Sequence, residues 1–236
     1  IQTNLQQKQN GFQMLLNNSN FRRAIILGIM LQILQQLTGI NVVLYYAPRI
    51  FKIAGFASTS GQMWGTVIVG ATNLLATFIA IAFVDKLGRK PMMYAGFVIT
   101  GISMIIVGTL FNMDLAQSPV LGYYAILALL FFIIGFSMSS GPITWIICSE
   151  IFPLGGRDLG VTFSTAANWA SNAVLGGVFL TMLAKLGNGN TFLFFGWFPV
   201  VAILFFRFFV PETKGVSLEK IESNLLSGLP LRKIGR

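Results

Sequence analysis

Polar side chains are concentrated in one part of an otherwise apolar stretch, residues 24–48. Five amides and hydroxyls fall within ten residues there: Gln32, Gln35, Gln36, Thr38 and Asn41. An amide both donates and accepts hydrogen bonds, and in a dry environment it needs partners. One or two such groups could join neighbouring helices, but five exceed what packing requires. The cluster therefore predicts contact with an uncharged ligand that carries several hydroxyl groups.

Further candidate residues are spread over this and later apolar stretches: Tyr45, Asn73, Trp145, Asn168 and Trp169. The face of an aromatic ring can stack on the C–H face of a sugar ring. A tryptophan near the end of a membrane span is otherwise an interfacial anchor. Both interpretations stay open for Trp145.

The acidic residues avoid the apolar stretches. All seven lie at the ends of these stretches or between them: Asp85, Asp114, Glu150, Asp158, Glu212, Glu219 and Glu222. The chain has no histidine and one cysteine, Cys148. The apolar stretches therefore contain neither paired acid–base groups nor clustered metal ligands. We expect that the protein is not an enzyme and that it binds no metal ion or cofactor. Charged residues usually mark the path of a transported cation, so cation transport by these residues alone is not expected.

The composition indicates a membrane protein. Of 236 residues, 55% are hydrophobic and 10% are charged, whereas soluble domains are roughly 25% charged. A helix needs about 20 apolar residues to cross a bilayer. Six stretches without Asp, Glu, Lys or Arg are long enough: 24–48, 53–84, 91–113, 115–149, 159–184 and 186–206. Buried helices of a soluble protein would be shorter and would carry polar faces.

These stretches predict an all-α membrane protein with three regions. Residues 1–21 form a polar cytoplasmic lead-in, residues 22–210 a transmembrane bundle, and residues 211–236 a cytoplasmic tail that begins at the helix-ending Pro211. The six spans are expected near 22–48, 62–84, 91–112, 121–148, 159–184 and 190–210. Since the first residue is Ile1 and no signal peptide precedes the bundle, we expect the chain to be a piece of a longer protein.

The basic residues set the expected orientation in the lipid bilayer. Thirteen of the 16 Lys and Arg lie on the side of the termini, and the exceptions are Arg49, Lys52 and Lys185. The positive-inside rule then places both termini in the cytoplasm. This asymmetry accounts for the net charge of +9 without a nucleic-acid partner.

Two spans are interrupted at corresponding places. Span 1 breaks at Thr38-Gly39-Ile40-Asn41, and span 4 breaks at Ser139-Ser140-Gly141-Pro142. Paired Gly or Pro interruptions in two halves point to a transporter site between inverted repeats. Pro142 also frees a backbone carbonyl, which is tolerated at membrane depth beside protein or a wet cavity. The alternative is a packing kink at each break.

Charged residues cluster in two predicted cytoplasmic loops. The first is Asp85-Lys86-Leu87-Gly88-Arg89-Lys90, in which Gly88 permits a tight turn. The second contains Glu150 and Arg157, which we expect to reach the first. Such pairs can lock one face of a transporter and release it in another state. Because single surface pairs are weak, a purely topogenic role is the alternative.

Several motifs resemble one transporter family. Asp85-x-x-Gly88-Arg89-Lys90 resembles the cytoplasmic loop motif of the major facilitator superfamily. Motifs along the whole chain resemble its sugar porter family: Gln35-Gln36-Leu37-Thr38-Gly39-Ile40-Asn41, Gly141-Pro142-Ile143-x-Trp145, Glu150 to Arg157, and Pro211-Glu212-Thr213-Lys214-Gly215. The segments 6–9 and 216–235 look closest to the bacterial galactose–proton and arabinose–proton symporters. Ser137, where eukaryotic facilitators often carry glutamate, also fits the bacterial branch.

This resemblance implies a fold and a function. The fold would be the C-terminal six-helix half of a twelve-helix porter with 3+3 inverted repeats, and the N-terminal half would be its partner. The function would be monosaccharide transport across the bacterial cytoplasmic membrane by alternating access, driven by proton symport. The proton-accepting carboxylate would lie in the first helix of the other half, outside this chain. A facilitator without proton coupling and a non-transporting sugar sensor remain alternatives.

The resemblance also assigns residues. The positions of Gln35, Gln36, Asn41, Tyr45, Asn73 and Trp145 contact sugar in the family, and that of Asn168 lines the site. With Trp169, the predicted substrate-binding set is Gln35, Gln36, Asn41, Tyr45, Asn73, Trp145, Asn168 and Trp169. The predicted gating set is Gly39, Gly141, Pro142, Asp85, Gly88, Arg89, Glu150 and Arg157.

Overall fold

The computed structural model describes residues 11–113 and 119–235. The first ten residues of the predicted lead-in, with the motif at 6–9, and Asp114 lie outside the described residues. Within these ranges, six helical segments are long and apolar enough to cross a membrane, as the sequence predicts. They are Ser19–Tyr45, Thr59–Leu87, Arg89–Phe111, Val120–Ile151, Leu154–Leu186 and Asn188–Phe208, and we call them spans 1 to 6.

The described part of the chain contains eleven α-helices and no strands. They are α1 (Gly11–Asn17), α2 (Ser19–Leu37), α3 (Ile40–Tyr45), α4 (Ala47–Ile53), α5 (Thr59–Leu87), α6 (Arg89–Phe111), α7 (Pro119–Ser137), α8 (Ser140–Ile151), α9 (Arg157–Leu186), α10 (Asn188–Phe208) and α11 (Leu218–Leu226). Span 2 was predicted from residue 62, but α5 begins at Thr59. The Ser58 hydroxyl caps it by accepting from the Gly61 amide at 3.1 Å. Hydropathy misses such a polar first turn.

Spans 1 and 4 are both broken, span 1 at the predicted Thr38-Gly39 and span 4 at Met138-Ser139, so that the predicted Gly141-Pro142 lies in the first turn after the break. α2 and α7 are each 19 residues long, and a short irregular segment separates each from its continuation, α3 or α8. At the first break Gly39 has φ 86°, a left-handed conformation that favours glycine. A Cβ there would also lie 3.0 Å from the Phe195 ring. Both conditions fix glycine at this turn.

Three of the four closest contacts between spans fit a 3+3 pattern, whereas the close contact of α6 with α7 has only a slight counterpart between α10 and α2. α2 packs against α9, α5 packs against α7, and α6 packs against α10. In such a repeat, span 1 corresponds to span 4, span 2 to span 5, and span 3 to span 6. The contact of span 1 with span 5 (α2 with α9) then corresponds to the contact of span 4 with span 2 (α7 with α5), and the contact of span 3 with span 6 (α6 with α10) corresponds to itself. Three spans reverse the direction of the chain, so the two repeats run in opposite directions. This is the arrangement of inverted repeats in transporters.

Two hydrophobic cores lie at the two ends of the bundle. The core at the terminal end includes Leu31 and Phe152, and it also buries Ile221 of α11 and Ile234 of the tail. The core at the far end begins in span 1 at Ile40. The polar part of span 1 therefore lies between the two cores. The tail packs as part of the bundle because its Ile221, Leu225 and Ile234 side chains are buried.

Candidate functional site

Asn168 of α9 joins the glutamines of α2 in one hydrogen-bond network. Its Nδ2 donates to Gln32 Oε1 at 2.6 Å and to Gln35 Oε1 at 2.8 Å. Its Oδ1 accepts from Gln36 Nε2 at 2.9 Å. Each of these four side chains is at most 4% exposed. Burial of so many amides is tolerated because each one finds a partner within the protein.

Gln35 also connects the two broken spans. Its Nε2 lies 2.6 Å from the Ser140 carbonyl oxygen and 3.0 Å from the Gly141 carbonyl oxygen. Those two residues begin α8, immediately after the break in span 4. Gln35 itself lies in the last turn of α2, where its carbonyl accepts from the Thr38 hydroxyl at 2.6 Å. One side chain therefore bridges the two breaks.

The network extends toward the surface through Asn41. Asn41 Nδ2 donates to Gln36 Oε1 at 2.9 Å, across the break in span 1. Asn41 is only partly buried. An amide has more hydrogen-bonding sites than these contacts use, so Gln36 and Asn41 each keep unused sites at the partly open edge of the cluster.

The hydrogen bonds of the amides, rather than their burial, divide the predicted binding residues into two groups. Gln32, Gln35 and Asn168 are committed to one another and to the break in span 4, which is the packing role that the sequence left open for one or two amides. Gln36 and Asn41 have hydrogen-bonding capacity left for a ligand. We therefore call Gln32, Gln35 and Asn168 the scaffold of the cluster, and Gln36 and Asn41 its edge.

Tyrosine and asparagine side chains continue the polar face on both sides of this edge. Tyr45 is 55% exposed, and its hydroxyl accepts from Asn172 Nδ2 at 2.9 Å. The hydroxyl hydrogen of Tyr45 stays available for a ligand. Asn73 of α5 is partly buried, and its Oδ1 accepts from the Ser137 hydroxyl at 2.5 Å. Asn73 therefore contacts the last residue of α7, beside the break in span 4.

The two predicted tryptophans are exposed in this chain. Trp145 of α8 is 38% exposed, and Trp169 of α9 is 62% exposed. Trp169 directly follows the buried Asn168, so the same turn of α9 supplies an inward amide and an outward ring. Exposed aromatic rings are suited to stacking on the apolar face of a ligand.

A second cluster lies at the end of the bundle that holds the termini. The Arg89 guanidinium pairs with Glu150 Oε1 at 2.7 Å and with Asp85 Oδ1 at 3.1 Å. The Arg89 and Glu150 side chains are only 11% and 14% exposed, whereas Asp85 is 83% exposed. The pair with Glu150 is therefore the stronger one, because solvent screens the other. It ties α6 to α8.

The tail closes this cluster with Glu212. Its carboxylate accepts from the Arg89 amide at 3.1 Å and from the Lys90 amide at 2.8 Å, the first two residues of α6. Gly88, the residue before α6, offers no side-chain cap. A carboxylate at this place satisfies unpaired N–H groups and is favoured by the helix dipole. Gly88 has φ 98°, and a Cβ there would lie 3.2 Å from Glu212 Oε2.

Neighbouring tail residues tie two further helices to the cluster. The Thr213 hydroxyl donates to Glu150 Oε2 at 2.5 Å. Lys214 Nζ donates to the Lys86 carbonyl in the last turn of α5 at 2.6 Å. Together with Glu212, these residues fasten the ends of spans 2, 3 and 4 in one place.

Arg157 does not take the predicted position. It was expected to reach the first cluster beside Glu150, but its Nε and Nη2 instead approach the Phe152 carbonyl oxygen, both at 3.4 Å. Arg157 is the first residue of α9, so its side chain turns back over the 3-10 turn at Leu154–Gly156 that precedes it. Glu150 alone connects the second loop to Arg89.

The two predicted site sets left out several residues of these clusters, among them Gln32, Ser137, Asn172, Glu212 and Thr213. Gln32 had been counted only with the polar cluster of span 1. Gln32 and Asn172 each lie four residues from a predicted member, Gln36 or Asn168, so helical spacing could have identified them. Ser137 and Glu212 carry no such local signal, because their partners are distant in the chain.

No group of three or more His, Cys, Asp or Glu side chains comes together within residues 11–113 and 119–235. The polar centre of the bundle is instead uncharged, and its chemistry is restricted to hydrogen bonding and stacking.

Comparison with known proteins gives consistent matches. The family model described as "Sugar (and other) transporter" matches residues 1–225. The chain is 54% identical over 235 residues to a galactose-proton symporter of Escherichia coli K12, covering 100% of this chain and 50% of that protein. It is 43% identical over 238 residues to the arabinose-proton symporter of the same strain, again covering 100% and 50%.

A solved structure matches as well. It is that of the major facilitator superfamily proton:xylose symporter XylE bound to 6-bromo-6-deoxy-D-glucose, with a TM-score of 0.75 and 42% identity. The match covers 84% of this chain and 42% of that one. The chain thus spans about half the length of the curated relatives it matches.

The first prediction concerns the hub of the amide network. Asn168→Ala leaves Gln32, Gln35 and Gln36 without their shared partner, at a cost of about 1–3 kcal/mol. We expect a lower thermal unfolding midpoint in detergent. The control is Thr181→Ala, an exposed position on the same helix, which should unfold near the wild-type midpoint. Equal midpoints for Asn168→Ala and wild type would contradict the scaffold role.

The second prediction concerns the cap of α6. Glu212→Ala removes the acceptor for two backbone amides, at a cost of about 0.5–2 kcal/mol. The thermal midpoint should fall, and proteolysis of the tail should become faster. Glu219→Ala removes an exposed carboxylate of the same tail and should have a smaller effect. If both variants lose the same stability, the cap is not what fastens the tail.

Proposed function

The chain belongs to the sugar transporter family, and we propose that it forms half of a carrier that moves a monosaccharide across a membrane by alternating access with proton symport. The observation that carries this proposal is the edge formed by the buried Gln36 and the partly buried Asn41. Both keep unused hydrogen-bonding sites, and they lie between the two hydrophobic cores beside the break in span 1. A galactose-proton symporter that is 54% identical over the whole chain supports the same activity. The family also argues against an enzyme.

Sugar hydroxyls bind to the groups that the scaffold leaves free. Gln36 and Asn41 donate to and accept from hydroxyls, and Tyr45 donates its hydroxyl hydrogen. Trp145 and Trp169 stack against the apolar face of the ring. Gln35 and Asn168 act beneath this layer by holding Gln36 and the break of span 4 in place.

Alternating access uses the two breaks and the terminal cluster. The segments beyond Gly39 and before Ser140 swing as gates, because each break interrupts its helix. The Arg89–Glu150 pair, with Glu212 behind it, holds the terminal ends of the spans together in one state and separates in the other. Such discrete pairs suit a two-state switch.

The second half of the carrier packs on spans 2 and 5. Within the 18-residue window by which each span was identified, only 22% of the residues of span 2 and 17% of those of span 5 are buried, compared with 67% in span 1. Span 5 is also the least hydrophobic of the six described spans. A polar, uncovered helix favours protein or a wet cavity over lipid. Spans 2 and 5 are equivalent in the 3+3 repeat, as a shared interface requires.

The proton-accepting carboxylate belongs to that other half. The described carboxylates all lie near helix ends, and the central polar cluster contains only amides, hydroxyls and aromatic rings. The carrier lies in the bacterial cytoplasmic membrane with both termini of this chain in the cytoplasm, in agreement with the side on which its basic residues gather.

The third prediction tests transport itself. The full polypeptide that contains this chain is expressed in bacteria that lack their own sugar carriers, and uptake of labelled galactose and arabinose is followed. We expect accumulation against the gradient that a protonophore abolishes. If sugar entry is saturable, stops at equal concentrations on both sides and is unaffected by the protonophore, the protein is a facilitator and not a symporter. Absence of monosaccharide entry, with the protein in the membrane, would contradict the carrier and favour a sensor.

The fourth prediction separates binding from packing. Gln36→Ala should weaken sugar binding by about 1–3 kcal/mol, roughly 5- to 150-fold in Kd, because a buried hydrogen-bond partner is lost. Gln13→Ala, which truncates an exposed glutamine of α1, should leave Kd unchanged. Binding is measured by competition with labelled sugar in membranes. An unchanged Kd for Gln36→Ala would place Gln36 with the packing residues.

A further inference from the structure

A groove runs between the terminal ends of α2 and α10, outside the sugar site. It has a volume of about 430 Å³ and is closed on one side by the tail at Leu231 and Arg232. Its floor is apolar, with Ile26 and Met30 from α2 and Phe205 and Phe208 from α10. Ile26 is 60% exposed and Phe208 is 58% exposed. Contact with an apolar molecule would remove these exposed side chains from water.

Two arginines stand at the terminal end of this floor. Arg23 precedes Ile26 on α2 by about one turn, and Arg232 lies in the 3-10 turn of the tail. Both side chains are exposed, and neither forms an ion pair with any residue that the structure describes. The recorded side-chain contact of Arg23 is a long one, 3.5 Å to Asn20 Oδ1. Two unpaired guanidinium groups at one place favour an anion.

Nearby polar groups are already engaged. The neighbouring Arg22 turns away and donates to the Leu16 carbonyl at 2.7 Å. The tail carboxylate of Glu212 is engaged at the start of α6, where it accepts from the Lys90 amide. Since neither groove arginine forms an ion pair with a described carboxylate, the charge at the groove is positive.

We propose that this groove binds an anionic phospholipid. Its phosphate lies between Arg23 and Arg232, and one acyl chain follows the floor along Ile26, Met30 and Phe208. Basic pockets between membrane helices on the cytoplasmic side bind anionic headgroups in this way.

A lipid fits the groove better than a free anion does. A soluble phosphate would use the arginines alone and would leave the apolar floor uncovered, whereas a phospholipid supplies both parts in one molecule. The proposed contact with the other half uses spans 2 and 5, which leaves the face of α10 open to the bilayer. Because the tail supplies Arg232, the bound lipid also fastens the tail to span 1.

The test uses the full polypeptide, stripped of lipid in an uncharged detergent. Phosphatidylglycerol, phosphatidylcholine with the same acyl chains, and inorganic phosphate are titrated separately. Apparent Kd values come from the rise of the thermal unfolding midpoint. We expect phosphatidylglycerol to bind at least about tenfold more tightly than either of the others, since each basic residue adds about a factor of five.

Three variants locate the site. Arg23→Gln with Arg232→Gln should raise the Kd for phosphatidylglycerol by about tenfold or more. Lys52→Gln with Lys185→Gln removes the same charge at the other end of the bundle and should leave the Kd within about twofold of wild type. Met30→Trp fills the floor without changing charge and should also weaken binding.

Other outcomes would overturn the proposal. Equal Kd values for phosphatidylglycerol and phosphatidylcholine would remove the role of charge. Protection by inorganic phosphate as strong as that by the lipid would leave an anion site without an acyl chain. Equal losses in the two double variants would mean diffuse attraction to the whole surface. None of these results depends on whether the carrier moves sugar.

Discussion

A buried amide at membrane depth needs a partner within the protein, because lipid offers none. In this chain the requirement is met at Asn168, which contacts three glutamines of span 1 at once. Span 1 and span 5 are thereby held in a fixed register, and the polar middle of the bundle is stable between two apolar cores. The rest of the structure depends on this network, since removal of one amide leaves the others unsatisfied.

The same network relates binding to movement. Gln35 bonds to the start of α8, just past the break in span 4, while Asn41 lies beyond the break in span 1. A ligand that binds to Asn41 therefore contacts a network that includes Gln36, Asn168 and Gln35 and that reaches both breaks. At the terminal end, Glu150 belongs to the other end of the same helix, α8, and pairs with Arg89. α8 is thus in contact with both the binding cluster and the predicted lock.

The sequence predicted those parts of the structure that depend on local composition. The six spans follow from runs without charge, and the breaks follow from Gly39 and Pro142, whose backbone preferences are local. Most contacts between distant residues were not predictable in this way, although the expected contact of Glu150 with the Asp85–Lys90 loop is present as its pair with Arg89. The capping of α6 by Glu212 joins residues more than 120 positions apart, and Arg157 turned to the nearby Phe152 carbonyl because its own turn offered an acceptor. The division of the amides into scaffold and edge also required knowledge of their hydrogen-bond partners.

In the proposed carrier, Gln35 and Asn168 form the scaffold, while Gln36, Asn41 and Tyr45 bind the sugar. The most direct measurement is a structure of the full polypeptide with bound galactose, by crystallography or electron microscopy. The account predicts sugar hydroxyls within hydrogen-bonding distance of Gln36 and Asn41, with Gln35 Nε2 still on the Ser140 carbonyl. A sugar bound away from this edge, or Gln35 turned from the break toward the sugar, would contradict it.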